Sequence, residues 1–426
     1  MSLPTIWVFG DQLNRGIGAL AGATPQTHRV LFIESTSKIA SRKWHVQRAH
    51  FIVASMRKFA NALRAEGFQV DYRFADSMRD GFDLHVLEFQ PTEVFATEPN
   101  SYGARQLVAG LRVRTVPSNQ FLCHPDKYQK FLGSRKTIKM EDFYRWQRKR
   151  LNVLMDGDEP MGGRWNFDEE NRQPPPKTGH DRWPEPRRYE LDDIDQSVLE
   201  SVQKHCFGKL PEGQWATTRE GALARLRSFV DQVLPMFGEH EDAMLKSNWH
   251  LAHSLLSPYL NVGLLLPGEV VSAAETAFQE GKVPMNSAEG FIRQIIGWRE
   301  YINGLYWHFG DLYRNENALQ ATRPLLPLFT DSSKTQMNCV STQVRDIEAR
   351  AWVHHIPRLM VLSNLALITG TSPQEFLDWM RRAFIDAADW VMVPNVIGMS
   401  LHADGGKLAT KPYASGGSYI SKMGSF

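Results

Sequence analysis

The stretch Ala351-Trp-Val-His-His-Ile-Pro-Arg-Leu-Met360 organises the chain, together with Asp386-Ala-Ala-Asp-Trp390 further along. The first stretch predicts a helix, on which His355 and Arg358 share one face because they are three residues apart. One of the two aspartates in the second stretch could hold the Arg358 guanidinium. These residue types in an apolar, aromatic-rich region are typical of a buried cofactor cavity with a proton donor at its edge, although a structural ion pair at a helix start would use the same residues.

Bulk composition limits the classes of protein that need to be considered. With 426 residues, the chain is long enough for two or three domains. The 49 basic and 47 acidic residues give a net charge of +2, so overall charge neither favours nor excludes a nucleic-acid partner. No apolar run reaches the ~18 residues of a membrane span, and the N-terminus lacks the pattern of a signal peptide. We therefore expect a cytoplasmic protein, a monomer by default, that has no contact with membranes.

Short apolar runs alternate with helical patterns in the N-terminal part of the chain. The predicted strands are residues 3–10, 29–34, 69–74, 93–97 and 112–116, and residues 46–66 have the periodicity of a helix. This alternation predicts a doubly wound, Rossmann-like α/β domain with a parallel sheet over residues 1–130. Ligands bind such sheets at the carboxyl edge, where Gly10-Asp-Gln-Leu13, Glu34 and Thr97-Glu-Pro99 fall. The loop after the first strand does not match the GxGxxG pattern, which argues against a dinucleotide site.

Residues 131–215 are predicted to connect two domains. Residues 134–150 are basic with interleaved aromatic side chains, so they could contact phosphates or simply form a solvated helix face. The basic residues proposed to contact DNA are Arg135, Lys136, Lys139, Arg148 and Lys149. Residues 161–188 contain Pro174-Pro-Pro176 and little periodicity, which predicts a long irregular segment.

The pattern becomes entirely helical over residues 216–426. The predicted helices are residues 217–237, 245–265, 267–280, 286–308, 340–369 and 373–384. His253-Ser-Leu-Leu-Ser-Pro-Tyr-Leu-Asn261 places two hydroxyls at a predicted helix start, which would suit an anion or serve as a plain N-cap. On a neighbouring helix Gln294 and Trp298 share one stripe, which could face a ligand or the core.

Taken in order, these segments resemble the photolyase/cryptochrome family. The matching segments are Trp7-Val-Phe-Gly-Asp-Gln-Leu13, Ser254-Leu-Leu-Ser-Pro-Tyr-Leu260, Gly297-Trp-Arg-Glu300, His354-His-Ile-Pro-Arg-Leu-Met360 and Phe384-Ile-Asp-Ala-Ala-Asp389. Five more are similar to the bacterial (6-4) branch that carries an iron–sulfur cluster: Met161-Gly-Gly-Arg-Trp-Asn-Phe-Asp168, Asn171-Arg-Gln173, Phe291-Ile-Arg-Gln-Ile-Ile-Gly-Trp-Arg-Glu-Tyr301, Pro394-Asn-Val-Ile-Gly-Met399 and Lys411-Pro-Tyr413. The resemblance runs nearly from end to end.

The resemblance implies FAD in the helical domain and an antenna chromophore, in this branch typically a ribityl-lumazine, in the α/β domain. The residues that it assigns to FAD are Ser254, Leu255, Leu256, Ser257, Gln294, Arg299, Arg358, Asp386 and Asp389. Those that it assigns to the antenna are Gly10, Asp11, Gln12, Leu13, Glu34 and Glu98.

The resemblance also implies light-driven repair of (6-4) photoproducts in UV-damaged DNA by electron transfer from reduced FAD. His355 would donate a proton to the lesion, with His354 beside it and Tyr413 nearby. Three alternatives are a cyclobutane-dimer substrate, a blue-light photoreceptor without repair activity, and a non-catalytic nucleic-acid-binding remnant. The paired histidines favour (6-4) repair over these.

The sequence departs from the branch at three places. Cys339 matches the first of four cluster cysteines, but the other three would follow residue 426, so we expect a truncated chain that cannot build a four-thiolate 4Fe-4S cluster. Trp379 matches the electron donor nearest the flavin, but Met380 replaces an aromatic neighbour, which leaves Trp390 or Trp307 as other donors. Val391-Met-Val393 is apolar where relatives often place a carboxylate.

Overall fold

Five parallel strands form the sheet of the N-terminal half, in the order β3-β2-β1-β4-β5. The computed structural model describes residues 2–135 and 138–426, so the predicted DNA contact Lys136 lies outside the described residues. The strands are β1 (Thr5–Trp7), β2 (Arg29–Ser35), β3 (Val70–Ala75), β4 (Val94–Thr97) and β5 (Arg114–Val116). Ile6 pairs with Val30 on one side and with Phe95 on the other. The doubly wound parallel sheet predicted from sequence is confirmed.

Helices cover both faces of this sheet, which explains why its central strands are continuous apolar runs. The helices of the N-terminal half are α1 (Gly18–Ala21), α2 (Thr36–Ala40), α3 (Val46–Ala65), α4 (Met78–Phe89), α5 (Tyr102–Gly110) and α6 (Pro125–Leu132). The long predicted helix corresponds to α3. It ends just before Gly67, whose φ of +96° suits glycine.

The connecting region contains two helices and a small hairpin. They are α7 (Met140–Leu151), β6 (Met155–Asp156), β7 (Glu159–Pro160) and α8 (Asp193–Val202). Residues 164–188 form no helix, in agreement with the proline- and glycine-rich sequence.

The C-terminal half is helical, with ten α-helices among the described residues. They are α9 (Arg219–Ser228), α10 (Ser257–Val262), α11 (Pro267–Gln279), α12 (Met285–Ile292), α13 (Glu300–Phe309), α14 (Asn338–Arg350), α15 (Asn364–Ile368), α16 (Pro373–Ala383), α17 (Asp389–Pro394) and α18 (Gly417–Met423). Four π-helical turns widen this framework at Phe229–Val233, Arg293–Arg299, Pro357–Ser363 and Asn395–Ser400. Across the part of the chain that is described, no helix is both long and apolar enough to cross a bilayer.

Two helix predictions were wrong because the backbone turns left-handed inside them. In the predicted helix 245–265, Leu251 and Leu255 have φ of +43° and +56°, and only α10 is helical. In the predicted helix 340–369, Ala351 has φ of +55° and ends α14. Residues 351–354 are therefore not helical, and the helical turn that carries Arg358 begins at His355.

The two halves share one hydrophobic core. A single buried cluster joins Ile6 and Phe51 of the sheet half to Tyr259 and Ile296 of the helical half. Backbone contacts reinforce this docking, since the amide of Leu13 donates to the Val262 carbonyl at 2.8 Å. The loop that follows β1 is consequently buried against the helical half.

A buried ionic network joins α3 to α8. Asp195, which is 1% exposed, accepts hydrogen bonds from His50 at 3.0 Å and from Lys58 at 2.7 Å. Thr217 also donates to this carboxylate at 3.2 Å. Burial alone would raise the pKa of Asp195, but the hydrogen bonds from His50 and Lys58 outweigh it and lower that pKa. The network ties the connector to the sheet half through a fully satisfied buried carboxylate.

We predict that Asp195→Asn lowers the free energy of unfolding at pH 7 by about 3 kcal/mol, because the buried side chains of His50 and Lys58 lose the carboxylate to which they donate. The control is Glu200→Gln, an exposed residue on the same helix, with an expected change below about 0.5 kcal/mol. Urea unfolding monitored by circular dichroism measures both.

The pH dependence of this contribution follows from the lowered pKa of Asp195. The stabilisation is present above the unfolded-state pKa of about 3.9 and is lost as pH falls towards the lower folded-state value. Wild type and Asp195→Asn should thus converge in stability below about pH 4. Equal stability of the two proteins at pH 7 would refute a stabilising role for this network.

Candidate functional site

A bidentate ion pair between Arg358 and Asp386 lies at the centre of the helical half. The two guanidinium nitrogens donate to the two carboxylate oxygens at 2.9 and 3.0 Å. Arg358 Nε donates to the Val353 carbonyl at 2.7 Å, and the Ser257 hydroxyl donates to Asp386 at 2.7 Å. Asn261 donates to the Asp386 backbone carbonyl at 2.6 Å. The predicted guanidinium–aspartate pair therefore exists, and Asp386 is its carboxylate.

Asp389 faces a different set of partners. Its carboxylate binds Arg381 and lies 3.5 Å from Arg314. These arginines hold the start of α17, so the structure does not bring Asp389 together with Arg358.

Three histidines gather beside the ion pair. His354 is buried, and its ring stacks on His253 with centroids 4.2 Å apart and planes at 22°. Neither His354 Nδ1 nor His253 Nε2 has a hydrogen-bond partner among the described residues. The next residue, His355, keeps an exposed side chain, although its surroundings partly shield the ring from solvent.

Burial keeps these histidines uncharged at neutral pH. It lowers the pKa of His355 to about 4, and the positive charge of Arg358 acts in the same direction. Burial and the neighbouring His250 and His355 lower the pKa of His253 to about 3. The pKa of His354 is lowered well below its ordinary value, mainly by burial. Sequence reasoning missed His253 as a member of this group, although it directly precedes Ser254.

Partly exposed polar residues lie beside buried ones in the helical half, and from them we infer a solvent-accessible cavity there. Ser254 and Ser257 keep partial exposure, whereas the two leucines between them, Leu255 and Leu256, are 3% and 1% exposed. Gln294 is likewise partly exposed, whereas the next two residues, Ile295 and Ile296, are buried. Gln294, Arg299 and Arg358 all belong to π-helical turns, which occur frequently at functional sites. The wide turns and the unpaired histidine nitrogens fit a large ligand with polar edges.

The hydroxyls of Ser254 and Ser257 are already engaged in this structure. Ser254 Oγ accepts from the Leu256 amide at 3.3 Å, and the Ser257 hydroxyl faces Asp386. Between them, Leu255 holds a left-handed backbone that costs about 1–3 kcal/mol for a non-glycine residue. Strain of this kind is characteristic of ligand-binding segments, and no sequence pattern announced it.

Gln294 is oriented by a carboxyl group that the sequence did not point to. Its side-chain nitrogen donates to Glu241 Oε1 at 2.8 Å. Burial raises the pKa of Glu241 to about 8, despite the nearby positive charge of Arg293. A protonated carboxyl therefore lies next to the cavity at neutral pH.

Arg299 and Trp390 form a stacked pair at another wall. The Arg299 guanidinium lies 4.6 Å from the Trp390 ring centroid and 4.7 Å from that of Phe121. It donates to Asn261 and to the Leu260 carbonyl, and burial lowers the pKa of Arg299 to about 10. Arg299 thus braces the same asparagine that contacts Asp386.

Trp379 is enclosed by phenylalanines. Its ring lies 5.2 Å from Phe329, 5.4 Å from Phe376 and 5.9 Å from Phe384. The ring of Phe384 in turn lies under Arg358 at 4.2 Å. Trp379 is therefore close to the central ion pair, but its aromatic neighbours in the described structure are phenylalanines only.

The carboxyl edge of the sheet is partly closed by its own hydrogen bonds. Asp11 accepts from Asn100 at 3.1 Å, and Gln12 donates to the Glu98 carbonyl at 3.0 Å. Both Gln12 and Leu13 are at most 2% exposed. Gly10 packs so closely on Met56 that a Cβ would lie 2.8 Å from its sulfur.

The remaining edge carboxylates have protein partners, and open space lies beside β2. Glu34 binds Arg57 at 2.8 and 2.9 Å, and Glu98 lies 2.9 Å from His124. A cleft of about 720 Å³, partly open to solvent, lies at the end of β2. It is lined by Ser35, Ser37, Lys38, Ser41, Arg42, Trp44 and Met78. The sequence analysis did not identify these residues.

One predicted DNA contact was wrong. Arg148 is fully buried and donates to the Val153 and Trp165 carbonyls at 3.3 and 3.1 Å, so its charge holds a turn together. Arg135, Lys139 and Lys149 are exposed. Charge alone could not show whether Arg148 lies on the inner or the outer face of its helix.

Two other predicted residues are at least partly exposed. Tyr413 is 39% exposed, in a tail that Ser415 attaches to the Met360 carbonyl through a hydrogen bond of 2.7 Å. Cys339 is partly exposed in the first turn of α14. Within residues 2–135 and 138–426, no three His, Cys, Asp or Glu side chains are arranged to hold a metal ion.

Comparison with known sequences identifies relatives along the whole chain. A family model described as "Deoxyribodipyrimidine photo-lyase-related protein" matches residues 6–215. A (6-4) photolyase of Agrobacterium fabrum is 38% identical over 437 aligned residues, covering 99% of this chain and 85% of that protein.

Solved structures share the fold. A bacterial class III photolyase from Agrobacterium tumefaciens superposes with a TM-score of 0.67 at 20% identity, covering 97% of this chain and 82% of that chain. A cryptochrome of Synechocystis gives a TM-score of 0.64 at 14% identity, covering 94% and 83%. At these identities the superpositions establish a common architecture only.

We predict that Asp386→Asn lowers the free energy of unfolding by about 3 kcal/mol, because the Arg358 guanidinium then lacks a carboxylate inside the protein. The control is Asp378→Asn, which removes a 44% exposed partner of Arg382 and should cost less than about 1 kcal/mol. Urea unfolding of both variants gives the comparison. Similar losses in the two variants would contradict a central role for the Arg358–Asp386 pair.

Proposed function

Because this chain belongs to the photolyase/cryptochrome family, we propose that it is a light-driven DNA-repair flavoprotein that reverses (6-4) photoproducts. The observation that carries the proposal is the Arg358–Asp386 pair beside the solvent-accessible His355, inside a cavity of the helical half. A proton donor next to a cofactor pocket is the arrangement that this reaction needs. The 38% identity to a (6-4) photolyase supports the lesion class.

FAD would be held by residues from four segments of the helical half. The segment 254–257 would meet its phosphates, Gln294 and Arg299 would line the pocket, and Arg358 with Asp386 would orient the ring system. When bound and reduced, FAD supplies the electron that light drives into the lesion. The unpartnered His354 Nδ1 and His253 Nε2 support the fit of a polar ligand here.

His355 must gain a proton before it can give one to the lesion. In the free protein its pKa is about 4, so at neutral pH the ring is uncharged. DNA phosphates that enter the cavity mouth bring negative charge, which raises the pKa of a nearby histidine. We therefore propose that substrate binding itself converts His355 into an acid. His354 would stay neutral and hold its neighbour in position.

DNA would be bound through its backbone, with the lesion turned out of the duplex into the cavity. Damaged bases pair poorly, so the cost of flipping, a few kcal/mol for a normal base, is smallest for them. The exposed Arg135, Lys139 and Lys149 are the proposed phosphate contacts. An antenna, proposed as a ribityl-lumazine, would bind at the sheet edge. Because Gln12 and Leu13 are buried there, the accessible part of that edge is the cleft beside Glu34 and Lys38.

The test is repair of a single (6-4) photoproduct in an oligonucleotide by purified, chemically reduced protein. We expect restored bases under blue light and none in the dark, measured by chromatography of the digested DNA. A parallel oligonucleotide with a cyclobutane dimer should remain unrepaired. Absence of repair by protein that retains FAD would refute this function and favour the photoreceptor alternative. Protein that retains no FAD would favour the DNA-binding remnant.

We predict that His355→Ala lowers the rate of repair by about 10²–10⁴-fold, the usual contribution of a general acid. The bound flavin and the affinity for DNA should stay within twofold, because the side chain acts in proton transfer. His308→Ala is the control, since His308 lies at the end of α13, away from the cavity histidines. Repair by His355→Ala at the wild-type rate would disprove the assigned role.

A further inference from the structure

Among the described residues, no tryptophan or tyrosine ring is in contact with the Trp379 ring. A light-excited flavin takes an electron from a nearby tryptophan. That tryptophan must then regain an electron from a donor closer to the solvent. Indole and phenol rings are oxidised far more easily than phenyl rings. The rings packed around Trp379 are Phe329, Phe376 and Phe384, and Met380 follows it in the chain. Once Trp379 has lost an electron to the flavin, it would therefore regain that electron from the flavin, because no neighbouring ring supplies another.

A second line of aromatic rings does run from the cavity to the surface. Trp352 is 4% exposed, and its ring centroid lies 6.2 Å from His253, which stacks on His354 in the cavity wall. On its other side Trp249 makes an edge contact at 5.6 Å. Trp249 is partly exposed and lines a cleft of about 650 Å³ between the connector and α14.

Trp352 is also tied to the central ion pair. It directly precedes Val353, whose carbonyl accepts the hydrogen bond from Arg358 Nε. Trp352 thus lies one side chain away from the proposed flavin pocket, and Trp249 lies between Trp352 and solvent.

We propose that Trp352 and Trp249 form the electron path by which this protein photoreduces its flavin, in place of a path through Trp379. The proposal rests on the function proposed above. Trp352 loses one electron to the light-excited flavin and regains it from Trp249. The oxidised Trp249 releases its indole N–H proton to water in the cleft, then regains an electron from an external thiolate and a proton from water. Two such cycles transfer two electrons and convert two thiolates into one disulfide.

Trp390 is a poorer donor for electrostatic reasons. The Arg299 guanidinium covers its ring at 4.6 Å and binds only neutral acceptors, so its positive charge opposes a radical cation on Trp390. The Arg350 guanidinium also lies 4.6 Å from the Trp249 ring centroid. Unlike Arg299, Arg350 is paired with a carboxylate, that of Asp346, and it is partly exposed to solvent. The positive charge of Arg299 therefore disfavours oxidation of Trp390 more than the paired charge of Arg350 disfavours oxidation of Trp249.

The experiment follows flavin bleaching in FAD-loaded protein under blue light, without oxygen and with excess dithiothreitol. We expect Trp249→Phe and Trp352→Phe to slow photoreduction at least tenfold, and Trp379→Phe to change it less than twofold. Trp146→Phe is the matched control, a partly exposed tryptophan on α7. Transient absorption should show a long-lived tryptophan radical in wild type that is missing in Trp249→Phe.

Wild-type photoreduction by Trp249→Phe would overturn the path, as would loss of photoreduction in Trp379→Phe or Trp390→Phe alone. Because Trp249 lies outside the proposed pocket, the Trp249→Phe variant tests the electron path even if Trp352→Phe fails to bind FAD. Chemically reduced Trp249→Phe should repair DNA at the wild-type rate. That readout separates failure of this path from failure of the proposed function.

Discussion

The buried pair of Arg358 and Asp386 is the interaction on which the rest of the site depends. Each partner is expensive to bury alone, and each is fully hydrogen-bonded in the pair. Through these bonds the pair joins α10, residues 351–354, the turn at Pro357–Ser363 and the chain that leads into α17. Three regions that are distant in sequence, near residues 257–261, 351–363 and 386, are thereby held around one cavity.

The cavity combines a charge-paired arginine with uncharged histidines. Desolvation, aided by the positive charge of Arg358, keeps His355 neutral, and burial does the same for His253 and His354. A negative charge that enters the site favours protonation of His355. Electrostatics thus link ligand binding to the supply of a proton, without any change in the fold.

Much of the fold was predictable because strong local patterns specify it. The five parallel strands were predicted from apolar runs, and the helical half from periodicity. The errors occur at Leu251, Leu255 and Ala351, where non-glycine residues adopt left-handed backbone conformations that tertiary contacts impose. Arg148 was misassigned for a related reason: only packing against residues 153–165 reveals that it faces inward. Glu241 and His253 escaped notice because their partners are remote in the chain.

The sequence by itself determined the order of elements, the likeness to the photolyase/cryptochrome family and the three residues His355, Arg358 and Asp386. These depend on local periodicity and on residue type, both of which are visible in a one-dimensional pattern. The tertiary structure alone decided which edge residues are buried and which aromatic rings touch. Trp249 and Trp352 are about a hundred residues apart in sequence, yet their rings are in contact, and no local pattern encodes such a distance.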